Sequence, residues 1–280
     1  MQRVFLTFAA VLLCLTISNT PLRGQESKDS VIFHTIITAL SAPEEATTAE
    51  RMIRAASMLL GTPYVAGTLE QEPERLVINL HETDCILFAE TCLALALTSK
   101  EAEASFGKFA EILQRLRYRN GIIDGYSSRL HYTSEWIMQG EKNGFLREIS
   151  RELGDTPSGQ KFFFMSAHPQ SYRQLSGNPE EIEKIKKIEK QLNGYTYFYI
   201  PKAQVSRYLD KIKPGDIIGF NTSVAGLDMT HVGIAYSDNG RLTFIHASAS
   251  GKKVMIEPGN IPEYINKIKS NNGIRIIRPM

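Results

Sequence analysis

The sequence predicts an α+β protein, helical in its first half and β-rich in its second. Three observations carry this. From Cys85 to Leu97 the chain is almost wholly apolar, interrupted only by Glu90, which is the composition of a helix buried on nearly every side. Cap signals stand at Thr47-Thr48-Ala49-Glu50 and at Asn178-Pro179-Glu180-Glu181. From Tyr195 onward short strand-like runs follow one another without intervening helical patterns, which argues against an alternating α/β chain.

At the start, Arg3 precedes an apolar run from Val4 to Ile17, closed by Asn19-Thr20-Pro21-Leu22-Arg23-Gly24. That run is shorter than the roughly 20 residues a membrane span needs, so residues 1–24 are expected to be a secretory signal. Cys14 follows Leu13 rather than a small residue, which argues against lipidation. The chain carries 32 basic and 30 acidic residues, and losing Arg3 and Arg23 with the signal leaves the remainder neutral overall. No electrostatic case for nucleic acid or an anionic membrane follows, and no membrane association is expected after signal cleavage.

The segment Val31–Ile37 is apolar and carries no assignable chemistry. Thr47–Glu50 opens a helix expected to reach Leu60 and stop at Gly61. Gly61-Thr62-Pro63-Tyr64 then reads as a loop, its tyrosine either packed or aimed at a site. Thr83 or Asp84 can cap the apolar helix, which places Cys85 in the first turn, where free N–H groups and the helix dipole favour a thiolate and can hold an oxyanion. Cys92 reads as a core residue, and its separation from Cys85 along one helix, about 10.5 Å, precludes a disulfide.

A further helix, capped from Thr98 to Glu101 and running to about Tyr118, presents Ala102, Phe106, Phe109, Leu113 and Leu116 on one face. Tyr126-Ser127-Ser128-Arg129-Leu130-His131-Tyr132 and the lone Trp136 gather hydrogen-bonding and aromatic groups of the kind that line a cleft; an ordinary polar turn is the alternative. The helix from Pro179 places its acids early and its lysines late, as the dipole prefers. Strands are expected at 197–200, 217–220, 231–236, 242–247, 254–257 and 274–277.

Asn239-Gly240 is a strong hairpin signal. With that pair as the turn, Ala235 faces Phe244 and Gly233 faces His246, so His231 and His246 share one face as diagonal neighbours, and Gly233 leaves room for their rings. A cysteine and two neighbouring imidazoles form a nucleophile, a base and an orienting group: Cys85, His231 and His246. Zinc is the competing use of such residues, but Cys92 lies too far along its helix to complete a structural site, and no metal or cofactor is expected.

Gly61-Thr62-Pro63-Tyr64, Thr83-Asp84-Cys85, Lys213-Pro214-Gly215-Asp216-Ile217-Ile218, His231-Val232-Gly233-Ile234 and Ile245-His246-Ala247 resemble, in order, the motifs of NlpC-type papain-like cysteine amidases that act on bacterial peptidoglycan. The resemblance implies a papain-like fold over residues 25–280 with insertions around 100–200, Cys85, His231 and His246 as the triad, and Tyr64 and Asp84 in the cleft. Ile86-Leu87 replaces the usual Ser-Gly, and 146 residues separate Cys85 from His231, more than in the minimal domain. Ser128-Arg129-Leu130-His131-Tyr132 resembles the hallmark of the N-acetylmuramoyl-L-alanine amidase-like branch. It makes Ser128, Arg129 and His131 candidates for binding muropeptides; with the signal at residues 1–24, the protein is expected to be secreted across the inner membrane into the periplasm of a Gram-negative bacterium. The alternatives are a γ-D-glutamyl-diamino acid endopeptidase and a non-catalytic wall-binding module.

Overall fold

The computed structural model describes residues 27–154 and 156–280, so the expected signal lies outside them. Four helices open the chain: α1 (Lys28–Leu40), α2 (Thr48–Met58), α3 (Cys85–Thr98) and α4 (Phe106–Arg117). The apolar segment around Val31 is therefore helical. The Thr47/Glu50 capping box forms as expected, with α2 ending two residues before Leu60. Thr98 is the last residue of α3 rather than the cap of α4, whose cap is Ser105. Helix α3 packs against α2, α4 and two strands of the sheet, which is why its composition is apolar on every side. Phe88, Leu93 and Leu95 are essentially inaccessible. Burying each such side chain contributes about 1.5–3 kcal/mol.

The stretch between α4 and the next strands supplies α5 (Thr133–Lys142), β1 (Leu146–Glu148), α6 (Ser150–Leu153), β2 (Thr156–Pro157), α7 (Phe164–Ala167) and α8 (Pro179–Leu192). It closes its own small core of Tyr126, Tyr132, Phe162, Leu175, Ile185 and Leu192. There follow β3 (Phe198–Pro201), β4 (Ile217–Thr222), β5 (Met229–Asp238), β6 (Arg241–Ser248), β7 (Lys253–Ile256), α9 (Ile261–Lys267) and β8 (Asn271–Pro279). Every strand expected from sequence is present; β1, β2, α6, α7 and α9 were not anticipated.

The strands lie in the order β2-β3-β8-β4-β5-β6-β7, with β1 also on β8, and the pairings are antiparallel. Alternation divides the sheet into two faces. Ile217, Ile234, Ile245 and Val254 pack with the α1–α4 core. Ile218, Phe220, Ala235 and Phe244 join Ile261 and Ile265 of α9 in a second core. The turn into β4 explains Lys213-Pro214-Gly215-Asp216: Gly215 has φ +92°, and a Cβ there would lie 2.6 Å from Ala49 Cβ. Asp216, buried, accepts from Lys213 N–H and pairs with Arg278. Asp228, just before β5, accepts the Ser134 N–H at 2.7 Å, tying the start of α5 to the start of the histidine strand.

Candidate active site

Asp84, not Thr83, caps α3: its Oδ1 accepts the Leu87 N–H at 3.0 Å, and Cys85 is the first helical residue. The approach to that turn is held by the Gly61–Val65 loop. Gly61 N–H and Tyr64 N–H donate to Val254 O and Lys252 O at the edge of β7, while Val65 N–H donates to Thr83 O and Thr83 N–H to Pro63 O. Tyr64 is thus stitched beside the start of α3, where burial, and then Cys85 and Asp84, push its phenol up to about 12.

On the sheet, Asn239 and Gly240 both have positive φ, +51° and +85°, and Asp238 pairs with Arg241 as the hairpin reading requires. Ala235 faces Phe244. His231 Nε2 and His246 Nδ1 meet at 2.7 Å with their rings nearly perpendicular. Gly233 serves a different neighbour from the one expected: a Cβ there would lie 2.5 Å from Phe244 Cδ2, so the glycine makes room for Phe244, which packs edge-on to His246. The Cys85 sulfur has the Val232 backbone N–H beside it, one residue along β5 from His231. Tyr264 of α9 packs against both imidazoles, and Cys85 contributes to raising its phenol, so Cys85 and the histidines have Tyr264 as a common neighbour.

The protonation of this cluster differs from the sequence expectation. Burial, and then the Asp84 carboxylate, push the Cys85 thiol up to about 12, against the N–H groups of Val232, Ile86 and Cys85 itself. Burial, and then His246, lower His231 to about 3, and burial lowers His246 to about 4. The helix N-terminus alone favours a thiolate, but its dipole is already answered by the capping Asp84. At rest Cys85 is a thiol and both imidazoles are neutral.

One cavity is lined by the sequence neighbours of Cys85, and another by the two histidines. The first, about 170 Å³, is bordered by Asp84, Ile86, Glu90, Arg117, Arg129 and His131 among others. Arg129 is buried, donates to Glu70 Oε1 at 2.8 Å, lies 3.7 Å from Glu74 and covers the Tyr126 ring, while its Nε lacks a hydrogen-bond partner. His131 Nε2 donates to Tyr126 O at 2.9 Å, and burial lowers the ring to about 3. It is therefore neutral, with Nδ1 left as an acceptor. Ser128 does not line this cavity: its hydroxyl donates to Gly125 O and accepts the Asp124 N–H, the work of a turn. The second cavity, about 410 Å³, is bordered by His231, His246, Ser248, Glu257, Tyr264 and Lys267 among others. An apolar cavity of about 530 Å³ at Pro43, Ile53 and Arg54 shares no residue with either.

Two neighbours of the histidines escaped the sequence reading. Glu257 Oε2 lies 3.4 Å from His246 Nε2, and Tyr264 sits over the rings. The second hairpin held the signal for Glu257: β6 and β7 pair Ile245 with Ile256 and His246 with Met255, which makes Glu257 the next residue on the histidine face. The loop Ala249–Lys252 does not dictate register as Asn-Gly does. For Tyr264 the cue was the Asn260/Glu263 capping box that opens α9. Among the described residues no group of three or more His, Cys, Asp or Glu could hold a metal, and Cys85 and Cys92 are both free thiols.

Fold and site together define an α+β protein of amidase type. Residues 54–274 match the model of the AmiA-like family, described as N-acetylmuramoyl-L-alanine amidase-like, and the chain belongs to that family. An N-acetylmuramoyl-L-alanine amidase from Bacteroides uniformis is 40% identical over 84% of this chain and 100% of its own, with a TM-score of 0.80. A Bacteroides fragilis protein whose name proposes a xylanase is 38% identical over 80% of this chain and 98% of its own, with a TM-score of 0.73. A Legionella pneumophila protein, 22% identical with a TM-score of 0.67 over 91% of this chain and 94% of its own, shares the fold. No curated protein matches the chain.

Proposed function

We propose that the protein is a secreted cysteine amidase that hydrolyses the bond between N-acetylmuramic acid and L-alanine in periplasmic muropeptides. The observation that carries this reading is the hydrogen-bonded His231–His246 pair, together with Val232, the residue after His231, whose N–H meets the sulfur of Cys85 at the first turn of a buried helix. The amidase names of the family and of the Bacteroides uniformis relative direct it to this bond.

In the proposed reaction His231 takes the Cys85 thiol proton as the sulfur attacks the lactyl carbonyl carbon, and the carbonyl π electrons move to oxygen. In this reading the Cys85 N–H and the Tyr64 hydroxyl, whose phenol burial and the Cys85 and Asp84 charges raise, hold that oxyanion. Collapse breaks the C–N bond, and the imidazolium of His231 gives its proton to the departing L-alanine amine. Water, deprotonated by His231, then releases the lactyl acid from the thioester and restores the thiol. Asp84, Arg129 and His131 border the smaller cavity and offer a carboxylate, a partly unpaired guanidinium and a neutral acceptor to the substrate's polar groups. A glycosidase would need two free carboxylates across one bond; of the three on the smaller cavity, Glu90 is tied to Arg117, Glu70 to Arg129, and Asp84 caps α3.

Mass analysis of defined muropeptides after incubation tests the reading. The amidase leaves a peptide with free N-terminal L-alanine and a peptide-free sugar, and Cys85→Ala leaves the substrate whole. A cut inside the stem peptide would assign the endopeptidase, and full turnover by Cys85→Ala would end the cysteine mechanism.

A further inference from the structure

The imidazole pair has a direction, and direction decides whether His231 can act as a base. Each neutral ring carries one N–H and one lone pair. Between His231 Nε2 and His246 Nδ1, 2.7 Å apart, there is room for a single proton. If it belongs to His231, that ring's Nδ1 is a lone pair able to accept the thiol proton. If it belongs to His246, His231 carries its proton on Nδ1 and is useless as a base. Nothing within the pair itself chooses between these arrangements.

The far end of the relay supplies the choice. His246 Nε2 is buried and has no well-formed hydrogen bond, and Glu257 Oε2 stands 3.4 Å from it. The other carboxylate oxygen of Glu257 is held by the Gly259 N–H at 3.4 Å and by the Lys267 ammonium at 3.5 Å, which leaves Oε2 for the imidazole. Glu257 is itself 8% exposed, fixed by its backbone bond to Phe244 O one step across the sheet from His246. An ionised carboxylate only accepts, so a hydrogen bond here requires the proton on His246 Nε2.

We propose that Glu257 is a positioning residue that sets the tautomers of both histidines: its carboxylate retains the proton on His246 Nε2, His246 Nδ1 then accepts from His231 Nε2, and His231 Nδ1 is left free for the Cys85 proton. This rests on the amidase reading for its catalytic consequence but not for the tautomers. The arrangement is a relay of orientation; Glu257 takes no proton during turnover.

The test pairs ¹⁵N imidazole spectra of the full chain with turnover of a defined muropeptide, in wild type and Glu257→Gln. Glutamine keeps the shape but offers an N–H to His246 Nε2. Wild type is expected to show protonated Nε2 in both His231 and His246. In the variant both rings are expected to invert, with kcat lower by about 100-fold and KM little changed. Glu257→Asp, which keeps an acceptor, is expected to restore the wild-type tautomers. Protonated Nδ1 in the wild-type rings, or unchanged tautomers in Glu257→Gln whatever its activity, would overturn the proposal. Inverted tautomers with no muropeptide cleavage even by the wild type would instead sink the amidase reading and leave the relay standing.

Discussion

The protonation of Cys85 offers the sharpest test, because the structure reverses what its place on the helix suggests. An ordinary thiol, pKa about 8.5, is roughly a quarter thiolate at pH 8. With the thiol pushed up to about 12, the Cys85 thiolate is about one part in 10⁴ there. The more basic sulfur regains roughly 25- to 55-fold in intrinsic nucleophilicity, from a Brønsted slope of about 0.4–0.5. Alkylation of Cys85 by iodoacetamide is therefore expected to be about 40- to 100-fold slower than that of free cysteine at pH 8, and to keep rising with pH beyond pH 9. Asp84→Asn retains a capping side chain while removing the anion, and is expected to speed labelling about three- to fourfold. The assay is mass-spectrometric labelling kinetics of Cys85 from pH 5 to 10. Labelling as fast as free cysteine at pH 6 would show a stable thiolate–imidazolium pair and refute the resting state described here.

Other outcomes follow from the same geometry. Arg117 and Glu90 are each 4% exposed and bonded at 2.8 Å, so Arg117→Met should lose about 3–5 kcal/mol in urea unfolding by stranding the carboxylate, and Arg117→Met with Glu90→Leu should recover most of it. Gly233→Ala must displace Phe244, and calorimetry should read a loss of about 1–3 kcal/mol together with weakened turnover, since Phe244 packs on His246. His131, lowered to about 3 in the fold, favours folding while it is neutral, so its contribution is full above about pH 6.5 and is lost as pH falls. Between pH 7 and 5.5 the wild type should lose about 1 kcal/mol more than His131→Gln, and equal losses would contradict the burial of that ring.

Most of the candidate site was written in short-range patterns. Asn239-Gly240 dictates a hairpin register on sterics alone, and that register brings His231 to His246. Asp84 before an apolar run specifies where α3 begins, hence where Cys85 stands. Ser128 is engaged in a turn, because a hydroxyl in a cleft-like sequence also suits one, and that depended on where the Gly125 carbonyl pointed. Glu257 was hidden because its four-residue loop leaves the register open.

By itself the sequence determined the α+β class, the buried helix, the caps and the pairing of the histidines, because each depends on neighbours within a few residues or across one tight turn. Only the tertiary structure decided that the thiol and imidazoles rest uncharged, that Arg129 is engaged by carboxylates some sixty residues before it, and that Glu257 completes the row behind His246. Charge states and ion pairs depend on which surfaces lose water and which distant side chains replace it, and no local pattern encodes that.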